Sequence, residues 1–176
     1  MTGTQRKQFF GRYAGTVAIN IDPLRRGRLM VRVPDVLGND SCIWAESASP
    51  LTGTGMGVSY VPPVNSGVWV EFLQGDINYA VWTGGWRGAT SDMPPSATTA
   101  PPTNPPIVIQ SQALNQIVIS STPGEGVLIE TSAGPAGPRI ELTPTSISLS
   151  LGPGMASIEL TGKTVSINGT SLTVTG

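Results

Sequence analysis

The chain has 176 residues and a mass of 18.3 kDa, which is enough for one medium domain or two small ones. Its formal net charge is −1 and only 12% of its residues are charged, so no overall field attracts a polyanion. A single cysteine excludes an intrachain disulfide, and the absence of histidine removes the commonest general base and metal ligand.

The N-terminal segment MTGTQRKQFFGRY lacks the apolar run of a signal peptide. No segment reaches the roughly 18 continuous apolar residues of a membrane span. These features predict a protein that is made in the cytoplasm without a signal peptide.

Five short strand-like segments in residues 1–88 predict a closed barrel. The segments are residues 10–21, 27–34, 41–47, 67–75 and 79–86. Apolar side chains alternate along two of them, as with Leu29, Val31 and Val33, which is the pattern of half-buried strands. Five such strands favour an OB-fold. All ten aromatic residues lie between Phe9 and Trp86, and we expect them to supply the barrel core.

Residues 89–106 are rich in proline and contain little to bury. This composition predicts an extended, polyproline-like connector between two domains, with simple disorder as the alternative.

Residues 107–176 contain an internal repeat of single short strands. Two aliphatic residues separated by one other residue recur eight times, with Ser, Thr, Gly and Asn between the pairs. The pairs are Ile107/Ile109, Ile117/Ile119, Val127/Ile129, Ile140/Leu142, Ile147/Leu149, Ile158/Leu160, Val165/Ile167 and Leu172/Val174.

Such strands have one narrow apolar face, and seventy residues without an aromatic side chain cannot close a core alone. Three intertwined copies solve this problem as a triangular β-prism whose axis is filled by the aliphatic pairs. Eight strands stacked at about 4.8 Å predict a rod on the order of 40 Å long. The expected axis residues are Ile140, Leu142, Ile147, Leu149, Ile158, Leu160, Val165 and Ile167.

Three motifs resemble the OB-fold domain of contractile-tail spikes, namely the phage baseplate protein V family and the VgrG spikes of type VI secretion. They are DPLRRGRLMVRVP (22–34), PPVNSGVWVEF (62–72) and GDINYAVWTGGW (75–86). The C-terminal repeat resembles the β-helical needle of the same family. The fold class is therefore all-β, with an OB-fold barrel (1–88), the Pro-rich connector (89–106) and a trimeric β-helical needle (107–176).

The resemblance implies a homotrimeric, non-enzymatic central spike at the baseplate, which leads the tail tube through the target envelope. No hub domain is fused to the chain, so it implies a separate hub protein on the N-terminal side. Some family needles bind iron through an apical histidine pair. This chain ends INGTSLTVTG without histidine, so a separate PAAR-type tip protein is expected. The protein would be part of a virion tail or a tail-like injection particle and would touch the envelope transiently.

Four of the ten basic residues lie in one stretch, as Arg25, Arg26, Arg28 and Arg32. A basic cluster on an OB-fold is compatible with single-stranded nucleic-acid binding, with the needle as a trimerising stalk. The expected roles are instead structural, with contacts to the hub or a neighbouring subunit, and no nucleic-acid partner.

We expect no catalytic residue, no cofactor and no metal site. The close carboxylate pairs Asp35/Asp40 and Glu71/Asp76 are not accompanied by any sign of a cleft. Cys42 has no histidine to activate it and is predicted to be a core thiol. A receptor-binding or envelope-degrading fibre is a third alternative, disfavoured because the chain has no C-terminal globular head.

Overall fold

The computed structural model describes residues 7–169 and 171–175, and it is mostly β. The chain forms two compact units, residues 1–88 and 89–176, and each has its own sheet.

The first unit is a closed five-stranded barrel with the strand order β1-β2-β3-β7-β6. Strands β3 and β7 pair in parallel, and the other pairs are antiparallel. The barrel confirms the five predicted strands and matches an OB fold. Its elements are β1 (Tyr13–Ile19), β2 (Leu29–Arg32), a one-turn helix α1 (Pro34–Leu37), β3 (Cys42–Ser47), the small hairpin of β4 (Thr52–Gly53) and β5 (Met56–Gly57), β6 (Gly67–Phe72), a 3-10 turn (Leu73–Gly75) and β7 (Ala80–Trp86).

The barrel core is mainly aliphatic, which corrects the expectation that aromatic residues supply it. Only Phe72 and Trp82 of the ten aromatic residues are buried. A five-stranded barrel has a narrow interior, which small β-branched side chains fill most readily. The buried aliphatic residues are Val17, Leu29, Val31, Val33, Ala45, Val68, Val70 and Ala80.

Cys42 is exposed, so the prediction of a core thiol is wrong. It pairs with the outward-facing Arg32 at the start of β3. Alternation along that strand then directs Ile43 and the buried Ala45 to the inside.

Two tryptophan side chains fasten β7 to the rest of the barrel. The Trp82 indole N–H donates to the carbonyl of Gly27 at 3.0 Å, and that of Trp86 donates to the carbonyl of Gly15 at 3.2 Å. The Trp86 ring lies against the backbone of Gly67, where an added Cβ would be 2.5 Å from its Cε2 atom. Gly67, in the motif at residues 62–72, and Trp86, in the motif at residues 75–86, therefore form one packing unit.

The second unit contains an eight-stranded antiparallel meander whose strands lie in chain order. All eight predicted strands are present, each around its aliphatic pair. They are β8 (Ile107–Gln110), β9 (Gln116–Ile119), β10 (Val127–Glu130), β11 (Arg139–Leu142), β12 (Ser146–Ser150), β13 (Ser157–Thr161), β14 (Thr164–Ile167) and β15 (Leu172–Thr175).

The pairing register aligns the aliphatic pairs into two unbroken columns on one face of the sheet. Column A comprises Ile107, Ile119, Val127, Leu142, Ile147, Leu160, Val165 and Val174. Column B comprises Ile109, Ile117, Ile129, Ile140, Leu149, Ile158, Ile167 and Leu172. The alignment depends on this pairing register, because a slip of one residue would turn a strand's aliphatic pair to the other face of the sheet.

The proline-rich segment is not extended throughout. It contains a 3-10 turn (Thr90–Asp92) and a short helix α2 (Pro95–Thr99), which begins with proline at its first position. The Ser96 hydroxyl donates to the Gln116 side-chain oxygen at 2.8 Å and ties α2 to β9.

A further 3-10 turn (Gly134–Ala136) precedes β11.

Replacing Gly67 by alanine is expected to destabilise the barrel by about 1–3 kcal/mol, because the new methyl group overlaps the Trp86 ring and backbone. In a domain of this size, the midpoint of thermal unfolding should fall by roughly 4–8 °C for each kcal/mol. Gly85→Ala is the matched control, since its Cβ would meet nothing closer than the Gly67 carbonyl at 3.4 Å. Equal midpoints for the two variants would contradict the packing unit.

Candidate functional site

The most exposed apolar surface of the second unit is the face formed by columns A and B. None of its sixteen side chains is buried, and twelve are at least 38% exposed. All eight predicted axis residues lie on this face, four in each column. The structure extends the columns through β8, β9, β10 and β15, which the axis prediction left out although their aliphatic pairs follow the same spacing.

The opposite face of the same sheet is largely polar from β11 onward. Glu141, Ser148, Glu159 and Ser166 succeed one another there in register. Nearer the start of the sheet, Val108, Val118 and Leu128 occupy the equivalent positions. The polar face of such a sheet can remain in contact with water. The face with the two columns is apolar, so it is the face that requires a cover.

A groove runs along column B. Its lining joins column-B side chains to the turns on that margin of the sheet, among them Asn115, Pro138 and Leu151. Arg139 and Glu130 lie at its polar rim. Glu130 accepts a hydrogen bond from the Gln116 side-chain amide at 2.6 Å. The surface is therefore shaped and apolar, with few polar groups to orient a small molecule.

In the barrel, the predicted arginine cluster is organised by one carboxylate. The side chain of Asp22 is only 4% exposed, and its Oδ1 atom accepts from the Arg28 Nη2 and Nε atoms at 2.8 and 3.1 Å. It also accepts backbone N–H groups of Leu24, Arg26 and Arg28 at 2.9, 2.8 and 3.3 Å. This one side chain therefore holds the whole loop before β2.

The hydrogen bond from the Arg28 guanidinium is the main reason that the pKa of Asp22 lies far below its usual range. Desolvation opposes the shift, while the backbone N–H groups of Arg26, Leu24 and Arg28 add to it. The same bond raises the pKa of Arg28. The pair is thus charged at every physiological pH.

The four arginines do not form one free basic patch. Arg28 also lies over the Trp44 ring at 5.0 Å, and Arg26 Nη2 bonds to Glu46 Oε1 at 2.6 Å. Within the described part of the chain, the guanidinium groups of Arg25 and Arg32 have no such partner. Arg26 and Arg28 therefore each have an ion-pair partner within the chain, whereas Arg25 and Arg32 have none among the described residues.

Two of the four carboxylates singled out in the sequence, Glu71 and Asp76, serve local structure. Glu71 pairs with Arg12 at 2.7 Å, and Asp76 Oδ1 accepts the backbone and side-chain N–H groups of Asn78 at 3.0 Å. No group of three or more metal-ligating side chains occurs in the described residues. In residues 7–169 and 171–175, no helix has the length and apolar character needed to cross a bilayer.

Two family models match the chain. Residues 13–86 match the type VI secretion system/phage-baseplate injector OB domain. Residues 106–173 match the phage baseplate V C-terminal trimerisation domain. The first match covers the barrel, and the second covers nearly all of the eight-stranded sheet. No curated protein matches the chain.

Asp22→Asn is expected to lower the midpoint of thermal unfolding of the barrel at pH 7, because it removes the charge that Arg28 and three backbone N–H groups bind. The pKa of Asp22 is depressed in the folded state, so its stabilisation is complete above the unfolded pKa of about 3.9. It is lost as the pH falls through the lower, folded-state pKa. The difference between parent and variant should therefore narrow below about pH 4.

The matched control for this prediction is Asp40→Asn, an exposed aspartate in the loop before β3. It should leave the midpoint of thermal unfolding almost unchanged, both at pH 7 and below about pH 4. A difference between parent and Asp22→Asn that stays constant, or grows, as the solution is acidified would contradict the assignment.

Proposed function

Because the chain belongs to the baseplate spike family, with an injector OB domain followed by a trimerisation domain, we propose that three copies form the central spike of a contractile injection particle. In this proposal the spike leads the tail tube through the target envelope. The observation that carries it is the pair of exposed aliphatic columns, which lies within the residues matched by the trimerisation model.

Three sheets with their columns turned inward would remove these side chains from water. A half-exposed Ile or Leu gains about 1–2 kcal/mol from complete burial. Each copy contributes sixteen aliphatic side chains, of which twelve are at least 38% exposed. Each copy forms one wall, because consecutive strands within the chain already satisfy each other's backbone hydrogen bonds. In this arrangement the prism needs no exchange of strands between copies, which differs from the intertwined copies expected from the sequence.

This construction suits a body that is driven through a membrane. Open backbone edges occur only at the first and last strands of each wall, so little of the rod offers unpaired N–H and C=O groups. From β11 onward, the outward face carries mainly polar side chains. A wall of this kind exposes few groups that would bind to the target on the way.

The same proposal covers the partners and the location. The protein acts in a phage tail or a tail-like injection particle, without enzymatic activity of its own. A separate hub protein lies on the barrel side, where Arg25 and Arg32 are available for contacts with it or with a neighbouring subunit. A separate tip protein of the PAAR type caps the end at β15.

Leu160→Asp is expected to abolish the trimer at neutral pH, because it would bury three carboxylates in a dry core. An unpaired buried charge costs several kcal/mol, and the variant introduces three of them. Light scattering coupled to size exclusion should then report the mass of one chain, 18.3 kDa. Ile158→Asp, on the same strand in column B, is expected to act in the same way.

Ser148→Asp is the control, since it places the same charge on the opposite face of the sheet. It should leave the trimer intact. A trimer that survives Leu160→Asp, or is lost equally in Ser148→Asp, would refute the prism.

A further inference from the structure

The two margins of the eight-stranded sheet differ. On the side of column B the connecting turns are residues 111–115, 131–138 and 151–156, followed by the turn that contains residues 168, 169 and 171. On the side of column A they are residues 120–126, 143–145 and 162–163. The groove lies wholly on the first side, and none of the described residues that line it belongs to column A. Each copy therefore has two unlike apolar edges.

From this asymmetry we infer that column A of one copy packs into the column-B groove of the next copy, in the same rotational direction around all three copies. The inference rests on the proposed trimer and adds to it the pair of surfaces that meet. A closed ring of three identical chains requires a heterologous contact, in which one patch meets a different patch. The unlike edges of this sheet are two such patches.

Strand geometry agrees with this pairing. Columns A and B are two residues apart on each strand, which is about 6.7 Å. Where two inward-facing walls meet at a corner of the prism, column A of one wall lies beside column B of the next. The three copies of any one residue face each other across the axis and are farther apart. Unlike columns are therefore the nearest neighbours between chains.

Disulfide trapping in the full-length chain tests the pairing. The parent is Cys42→Ser, because the native thiol is exposed. Ile147→Cys in column A and Leu149→Cys in column B, both on β12, are introduced singly and together. After mild oxidation, the double variant should run as a covalently linked trimer on a non-reducing gel. Each single variant, and Ser148→Cys on the opposite face, should run as one chain.

The native mass before oxidation separates the proposed trimer from the inferred pairing of column A with column B. A Cys42→Ser parent that is not trimeric refutes the proposed spike itself. A trimeric parent whose single variants cross-link efficiently shows that like columns meet, and this overturns the inference. A trimeric double variant that does not cross-link also overturns it. Val127→Cys with Ile129→Cys, on β10, is the second pair if the first disturbs assembly, and it is judged by the same outcomes.

Discussion

An antiparallel sheet that is apolar on one face needs a cover, and this chain offers none within the sheet itself. The register aligns sixteen aliphatic side chains into two columns, and none of them is buried. Every other feature of the second unit is consistent with that constraint: the strands are short, the opposite face is largely polar, and the turns are compact. The family match to a trimerisation domain supports a homotrimer, and other copies of the chain are the cover that we propose.

The barrel solves the opposite problem, since it closes on itself and buries its own core. Residues of the sequence motifs at 22–34 and 75–86 stabilise the closed barrel. Asp22 organises the arginine loop, and Trp82 and Trp86 fasten β7 to Gly27 and Gly15. The first unit therefore has a core of its own, while in the proposed trimer the second unit acquires its core through assembly. This division of labour fits a spike whose mechanical element is the needle.

Strand positions were predictable because a period of two is visible in pairs such as Ile158/Leu160, and the three barrel motifs are specific as a set. The contacts between individual side chains could not be predicted from the sequence. Asp22 and Arg28 are six residues apart, and only the folded loop makes them an ion pair. Cys42 was misassigned because the inward register of β3 depends on its pairing with β2. The helix in the proline-rich segment was missed because proline composition masked a favourable helix start at Pro95.

The most direct test of the account is the native mass of the full-length chain in dilute solution, by light scattering or native mass spectrometry. Three chains of 18.3 kDa predict a particle of about 55 kDa that persists at moderate salt, because apolar burial is not screened. A stable, folded particle of 18.3 kDa would mean that the two columns remain uncovered, and it would contradict the trimeric spike.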